Sequence, residues 1–272
     1  MGTGSVQRRQ RVRELVHEFV PANGRVLEVS CGNAQLLQML HEGGFDVRGT
    51  NFSEYPGSEQ SIPIDQGIDL VKGLPYDDQS YDCVVLLDVI EHVRDAPSAL
   101  QHSARVLKVG GCLILVTPNI MRINSRIEFL LTGFFKIKRA FIGFDVPPER
   151  AFAFHNHPAH LPVLLYQLRA TGLSCALVDA VTYKAKSVLF WLLLGPWITL
   201  ATWIKTHVTE RNLKGTDATS LLFHSLVSFK SLNGESLIVV ARKGHGVARV
   251  DQVKTELPTW SKPIQAAAGS PP

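Results

Sequence analysis

Apolar positions along this chain alternate between two periods. Val12, Leu15, Val16 and Phe19 recur at helical spacing and predict a leading helix over 12–20, stopped by Pro21, Asn23 and Gly24. A short apolar run at 26–29 reads as a strand. A helical pattern over 35–41 follows, ended by Gly43 and Gly44, and then a second strand over 45–50. Residues 52–66 are polar and irregular, 68–71 predict a third strand, and 74–78 a loop. The unbroken apolar run at 81–87 suits a parallel strand buried on both faces. A helix over 96–107, a turn at Gly110 and Gly111, and a fifth strand over 112–116 complete the alternation. Strands alternating with helices imply a parallel, doubly wound sheet.

The pattern changes after Thr117, Pro118 and Asn119. Residues 120–154 are mixed, basic and aromatic, with Phe134, Phe135, Lys136, Lys138, Arg139, Phe141 and Phe144. A helix is expected over 161–170, ended by Gly172, with strands over 173–182 and 235–242. The expected fold class is α/β: a doubly wound, mostly parallel seven-stranded Rossmann-like sheet. Helices should cover both faces, with an apolar helical insertion between the last two strands. One domain would span 1–243, with a cofactor half at about 20–120, an acceptor region at about 120–172 and the insertion at about 183–233. Small, polar and proline-bearing residues over 244–272 predict a disordered tail.

Composition adds exclusions. A net charge of +4 gives no argument for a nucleic-acid partner. Residues 1–10 are polar and basic without an apolar core, so no secretory signal is expected there. Cys31, Cys83, Cys112 and Cys175 form no C-x-x-C and mostly sit in apolar runs, as reduced buried thiols of a cytoplasmic protein do.

The chemistry starts where the first strand meets Ser30, Cys31, Gly32, Asn33 and Ala34. Small residues there let backbone approach a ligand at the carboxyl edge of the sheet, and Glu28 places a carboxylate beside them. The turn lacks G-x-G-x-x-G, which argues against a nicotinamide dehydrogenase.

Several segments in register resemble class I S-adenosylmethionine-dependent methyltransferases of the small-molecule and quinone branch. They are Leu27-Glu28-Val29-Ser30-Cys31-Gly32-Asn33-Ala34, Leu74-Pro75-Tyr76, Tyr81-Asp82-Cys83-Val84-Val85, Leu87-Asp88-Val89-Ile90-Glu91-His92-Val93, Arg105-Val106-Leu107-Lys108-Val109-Gly110-Gly111 and Thr117-Pro118-Asn119. Less sharply, 124–133 and the pair His157-Pro158 look like methylases of bacterial surface-glycan or lipid pathways. The resemblance implies S-adenosylmethionine as cofactor. Glu28 would hold the methionine amine, and Ser30, Cys31 and Gly32 would bring backbone close. Asn51 and Phe52 would lie at the ribose, Asp69 and Leu70 at the adenine, and Asp88 beside the methionine. Ser30 and Ala34 stand where the family has glycine, and Asn51 where it usually has an acid. A non-catalytic relative that binds membrane or a partner is the alternative.

Methyl transfer to a hydroxyl needs alignment and a base. His92, His155 and His157 are the candidate catalytic residues, with His160 nearby. The short histidine loop by itself is weak evidence for a metal, and none is expected. Residues 187–204 carry no charge and include Trp191, Trp197 and Trp203. A single crossing would separate two strands of one sheet, so the segment is expected to dock on a membrane, bent at Gly195-Pro196, with a hydrophobic cap packed on the domain or a dimer interface as the alternative. Lys184, Lys186, Lys205, Arg211 and Lys214 would meet anionic lipid. The expected setting is therefore peripheral, on the inner membrane face, with a small-molecule or lipid-linked acceptor; a surface-glycan precursor or a quinone-like lipid both suit.

Overall fold

The computed structural model describes residues 3–54, 62–137, 145–147, 153–155, 157–210 and 217–244. Seven strands form one sheet: β1 Arg25–Val29, β2 Asp46–Asn51, β3 Ile64–Gln66, β4 Tyr81–Leu87, β5 Leu107–Pro118, β6 Leu173–Tyr183 and β7 Gly234–Lys243. Their order is β3-β2-β1-β4-β5-β7-β6. Neighbours from β3 to β5 pair in parallel, and β7 runs antiparallel to both β5 and β6. The expected α/β architecture is borne out, with the helical insertion between β6 and β7.

Alternate residues of the central strand divide the core, as the two-residue period of a strand dictates. Val84 and Leu86 face the cluster that includes Leu100, Leu164 and Leu168, from α3 (Ala96–Val106) and α5 (Leu161–Ala170). Cys83 and Val85 face the opposite cluster, where α1 (Thr3–Phe19) and α2 (Gln35–His41) contribute Leu15, Val16, Leu37 and Leu40. Asp95 caps α3 by accepting from the Ser98 N–H at 3.0 Å.

Several boundaries differ from expectation. α1 starts at Thr3, because polar side chains of its first turns are engaged: Arg11 binds the buried Asp179 at 2.8 Å and Arg8 binds Asp88 at 3.1 Å. Ion pairing leaves no apolar period to read. The third strand is Ile64–Gln66, paired with Gly49, Thr50 and Asn51; residues 68–71 are loop and turn. There the Asp69 carboxylate accepts from the Val71 N–H, which closes a turn in place of a ladder. Gly110 and Gly111 do not separate helix from strand. β5 already begins at Leu107 opposite Tyr81, and Cys112 lies opposite Cys83, so residues 108–111 bulge out with Gly110 at φ +80°. A further helix, α4 (Ile123–Thr132), lies in the stretch read as mixed. Lys138, Arg139, Phe141, Phe144, Arg211, Lys214 and the tail beyond 244 lie outside the described residues.

The insertion comprises α6 (Ala185–Trp203), a π-helical turn (Ile204–Thr209), α7 (Asp217–Val227) and α8 (Phe229–Asn233). Pro196 sits inside α6, and the helix continues on both sides of Gly195-Pro196. α6 packs on α4, α7 and α8. Trp191 meets the Phe229 ring edge-on, and Asn124 donates to Ser187 Oγ at 2.7 Å.

Candidate functional site

The first site lies where β1 and β4 end. Beyond Val29 the chain turns through Ser30, Gly32 and Ala34, all left-handed at φ +57°, +58° and +58°. Glycine adopts this region freely, whereas each residue with a Cβ bears a cost of about 1 kcal/mol. Hydrogen bonds from β2 hold the turn. Cys31 N–H donates to Thr50 O at 2.9 Å. Asn51 accepts from Gly32 N–H at 2.8 Å and donates back to Gly32 O at 3.1 Å. Gly49 leaves the room the turn needs, since a Cβ there would lie 2.7 Å from Cys31 Sγ and 2.6 Å from Leu37 Cδ1. Burial pushes the Cys31 thiol up to about 12, so it stays neutral.

Glu28 is 3% exposed. Burial pushes its carboxyl up to about 8, against the pull of the Leu37 backbone N–H and the charge of Arg9. Its Oε2 has no hydrogen-bond partner among the described residues. Asp88 ends β4 at φ +56° with its N–H on Val116 O at 2.9 Å. Its carboxyl is likewise raised by burial, and Arg8 partly offsets the effect. Ser5, Arg8 and Arg9 of α1 line the cleft together with Glu28, Gly32 and Asp88. Sequence reading missed α1 as a wall, because polar helical residues carry no mark of what they face.

A second cluster follows directly. Glu91 is fully buried, and its Oε2 accepts from Thr117 Oγ1 at 3.1 Å. Its Oε1 has no hydrogen-bond partner among the described residues. His92 Nδ1 lies 3.1 Å from Phe154 O. A carbonyl only accepts, so Nδ1 carries a proton there. His155 stacks edge-on against His92, with ring centroids 4.8 Å apart. The donor atoms of Glu91, His92 and His155 all lie within 4.8 Å of one another. Glu91 was not among the residues singled out, since buried acids in an apolar run look like any helix start.

The other expected site residues are dispersed. His157 is exposed, and its main-chain N–H donates to Glu91 O at 3.2 Å. His160 is exposed at the start of α5, and Asn156 lies outside the described residues. Phe52 is 52% exposed. Leu70 is buried in the core, and Asp69 is committed to its own turn and to Lys72 at 3.8 Å. Neither Asp69 nor Leu70 lines the cleft beside Glu28 among the described residues. Asn51 is buried, with both amide atoms on Gly32.

The family model described as a methyltransferase domain matches residues 6–153. The chain belongs to this methyltransferase family. Ubiquinone biosynthesis O-methyltransferase of Xanthomonas oryzae pv. oryzae is 31% identical over 106 residues, covering 36% of this chain and 44% of that protein. The protein of the same name from Marinobacter nauticus is 31% identical over 108 residues, covering 36% and 45%. The chain thus spans less than half the length of these curated relatives. Among solved structures, a SAM-dependent methyltransferase from Archaeoglobus fulgidus superposes with TM-score 0.56 at 16% identity, covering 89% of this chain and 95% of that one. A possible histamine N-methyltransferase from Thermotoga maritima gives 0.52 at 16%, covering 88% and 90%. These two share the methyltransferase fold. The resemblance read from the motifs is borne out, and S-adenosylmethionine is the cosubstrate of this family.

Proposed function

We propose that this methyltransferase moves the methyl group of S-adenosylmethionine to a hydroxyl of a lipid-borne acceptor at a membrane surface. The observation that carries the donor side is the buried Glu28 carboxylate, with an uncommitted oxygen beside a backbone-lined turn. A buried acid of that kind is costly unless it meets a cation, and the methionine ammonium supplies one. Arg9, whose charge acts on Glu28, is suited to the methionine carboxylate. Asn51 supports the site indirectly by holding Gly32; an acid in its place would accept from the Gly32 N–H but could not donate to the Gly32 carbonyl.

Chemically, the sulfonium is already a good leaving group. The acceptor oxygen attacks the methyl carbon in line, and adenosylhomocysteine departs neutral. Alignment supplies much of the acceleration. The hydroxyl loses its proton at the cluster of Glu91, His92 and His155, which adjoins Asp88 in the chain.

The membrane part of the reading rests on the insertion. In the most apolar 18-residue window of Ala185–Thr209, only 11% is buried. Leu192, Leu193 and Trp197 are 62–71% exposed on α6, and Leu130 and Leu131 are 82% and 76% exposed on the adjacent α4. An uncovered apolar surface on this scale wants a partner. A bilayer interface suits it, because both ends of the insertion return to one sheet and exclude a single crossing. The names of the curated relatives favour a quinone-type acceptor over a glycan precursor. This reading places the protein on the inner, cytoplasmic face.

Calorimetric titration with adenosylmethionine and adenosylhomocysteine tests the donor side. Saturable binding is expected for both. No binding at millimolar ligand would favour the non-catalytic alternative.

A further inference from the structure

Arg122 and Arg126 stand one turn apart at the start of α4, and their guanidiniums are matched differently. Arg122 pairs with Glu235 at 2.9 Å. Arg126 has no carboxylate partner among the described residues and meets main chain instead. Its Nε donates to Met121 O at 2.6 Å, and one terminal nitrogen reaches Leu226 O only at 3.5 Å. Burial pulls its guanidinium down from the usual range, with no acid to offset the effect. Arginine keeps its charge even so, and a half-buried charge without a counter-ion is costly. Its two main-chain bonds leave most of the guanidinium N–H donors to a ligand.

The surroundings say which kind of ligand. His160, just before α5, lies near enough to feel Arg126: burial and the Arg126 charge hold its imidazole below the usual range. At neutral pH the ring therefore offers a neutral N–H donor, and its side chain does not cap the helix. The same histidine segment reaches the Glu91 cluster at its other end, where Phe154 O meets His92 and the His157 N–H meets Glu91 O. Arg126 thus belongs to the acceptor side and is not among the described residues that line the donor cleft. Apolar surface adjoins it as well. Leu130, one turn on along α4, is exposed, and so is Leu221 of α7, the helix whose Leu226 carbonyl Arg126 meets. A cation between the proton-accepting cluster and an uncovered apolar face suits an amphiphile that carries a negative charge.

We propose that Arg126, with His160 beside it, binds an anionic group of the lipid-borne acceptor, a phosphate or carboxylate set between its apolar chain and the hydroxyl that takes the methyl group. The planar fork of arginine matches either group with paired hydrogen bonds. The bound charge also supplies the counter-ion that Arg126 lacks. The inference rests on the lipid-borne acceptor of the proposed function and deepens it, since it makes that acceptor an acidic amphiphile. Arg126 acts in binding and takes no part in the transfer itself.

Decyl phosphate and decanol, each kept below its aggregation limit, are the probes, and the full chain is titrated with both by calorimetry. The parent chain is expected to bind the phosphate at least about tenfold more tightly than the alcohol. Arg126→Gln should abolish that preference, Arg126→Lys should keep only part of it, and His160→Ala should lower it, all with far-UV circular dichroism preserved. Equal affinity for the two probes in the parent chain overturns the proposal without any variant. So does a preference that survives in folded Arg126→Gln. Co-sedimentation with phosphatidylglycerol vesicles separates the acceptor from the bilayer, and Arg126→Gln should leave it unchanged. Its loss would assign the anion to lipid headgroups and overturn the acceptor site. Adenosylhomocysteine affinity reports on the donor cleft separately and should be equal in the parent and Arg126→Gln. No adenosylhomocysteine binding in the parent counts against the methyltransferase reading, whereas binding without a phosphate preference counts against the anion site alone.

Discussion

Glu28 concentrates the chemistry of the donor site in one side chain. Its folded carboxyl titrates at about 8, above the usual 4.5, so the folded state holds a proton that the unfolded chain releases. Stability from this group is therefore complete below about pH 4.5 and declines as pH rises through 8. Glu28→Gln should remove that decline. It should raise ligand-free stability at pH 8.5 by up to about 4 kcal/mol and hardly at all at pH 4, read from urea unfolding at both values. The same variant should bind adenosylhomocysteine roughly 10–100-fold more weakly, because it cannot answer the ammonium with a charge. Parent affinity should fall as pH drops below 8, with proton release on binding visible as a buffer dependence of the calorimetric enthalpy. Ser30 gives a prediction of opposite character. It is exposed and left-handed, so Ser30→Gly should stabilise the fold by about 0.5–1 kcal/mol after the entropy gained by the unfolded chain is deducted. Unchanged or lower stability by the same urea assay would show that the hydroxyl is needed at the turn.

At the scale of elements, α1 and α6 do opposite things with their side chains. α1 uses cations to bind the rest of the protein: Arg11 and Lys230 meet on Asp179, which is 3% exposed, at 2.8 and 2.7 Å. Arg11→Ala leaves that buried carboxylate with Lys230 and the Ala180 N–H and should cost about 1–3 kcal/mol in thermal or urea unfolding. α6 instead leaves apolar side chains uncovered. Trp191 is packed on Phe229 and belongs to the base of the insertion, whereas Trp197 is 71% exposed. Replacing Leu192, Leu193 and Trp197 together by Ser should release the protein from anionic vesicles in co-sedimentation and leave its melting temperature nearly unchanged. Undiminished sedimentation would refute membrane docking by this helix. The lysines around it contribute less than their number suggests, because Lys184 is paired with Glu235 at 2.5 Å and Lys205 with Glu210 at 2.6 Å. Salt should accordingly weaken vesicle binding only modestly.

The whole molecule separates two tasks along one sheet. The parallel strands β1, β4 and β5 bring the donor cleft and the Glu91 cluster to the carboxyl edge, where doubly wound sheets bind ligands. The antiparallel β7 brings the insertion back to the same domain, so the apolar helices flank that sheet instead of leaving it. Asn119 joins the two regions: its amide donates to Ser231 O at 2.7 Å and Gly234 O at 2.9 Å, and its oxygen accepts from Met121 N–H at 2.9 Å. A motif residue read as part of a family pattern thus serves to anchor the insertion to the end of β5.

Local pattern alone determined what depends on near neighbours in the chain. The run 81–87 and the helices 35–41 and 161–170 match β4, α2 and α5 residue for residue, because apolar period and flanking glycines act within a few positions. Glu28 and the small-residue turn were legible for the same reason, since a strand ending in an acid before a glycine-bearing turn is a contiguous signal. Tertiary structure decided everything that depends on distant pairing. Only the register with β2 makes Ile64–Gln66 a strand and turns Asp69 inward on its own loop. Only folding puts Arg8 against Asp88, commits both ends of Asn51 to Gly32, and draws His155 to Glu91 and His92 while His157 stays at the surface. Sequence spacing places side chains along a strand or a helix. Which of them share a cleft is settled by the energetics of burying charge, which no local pattern records.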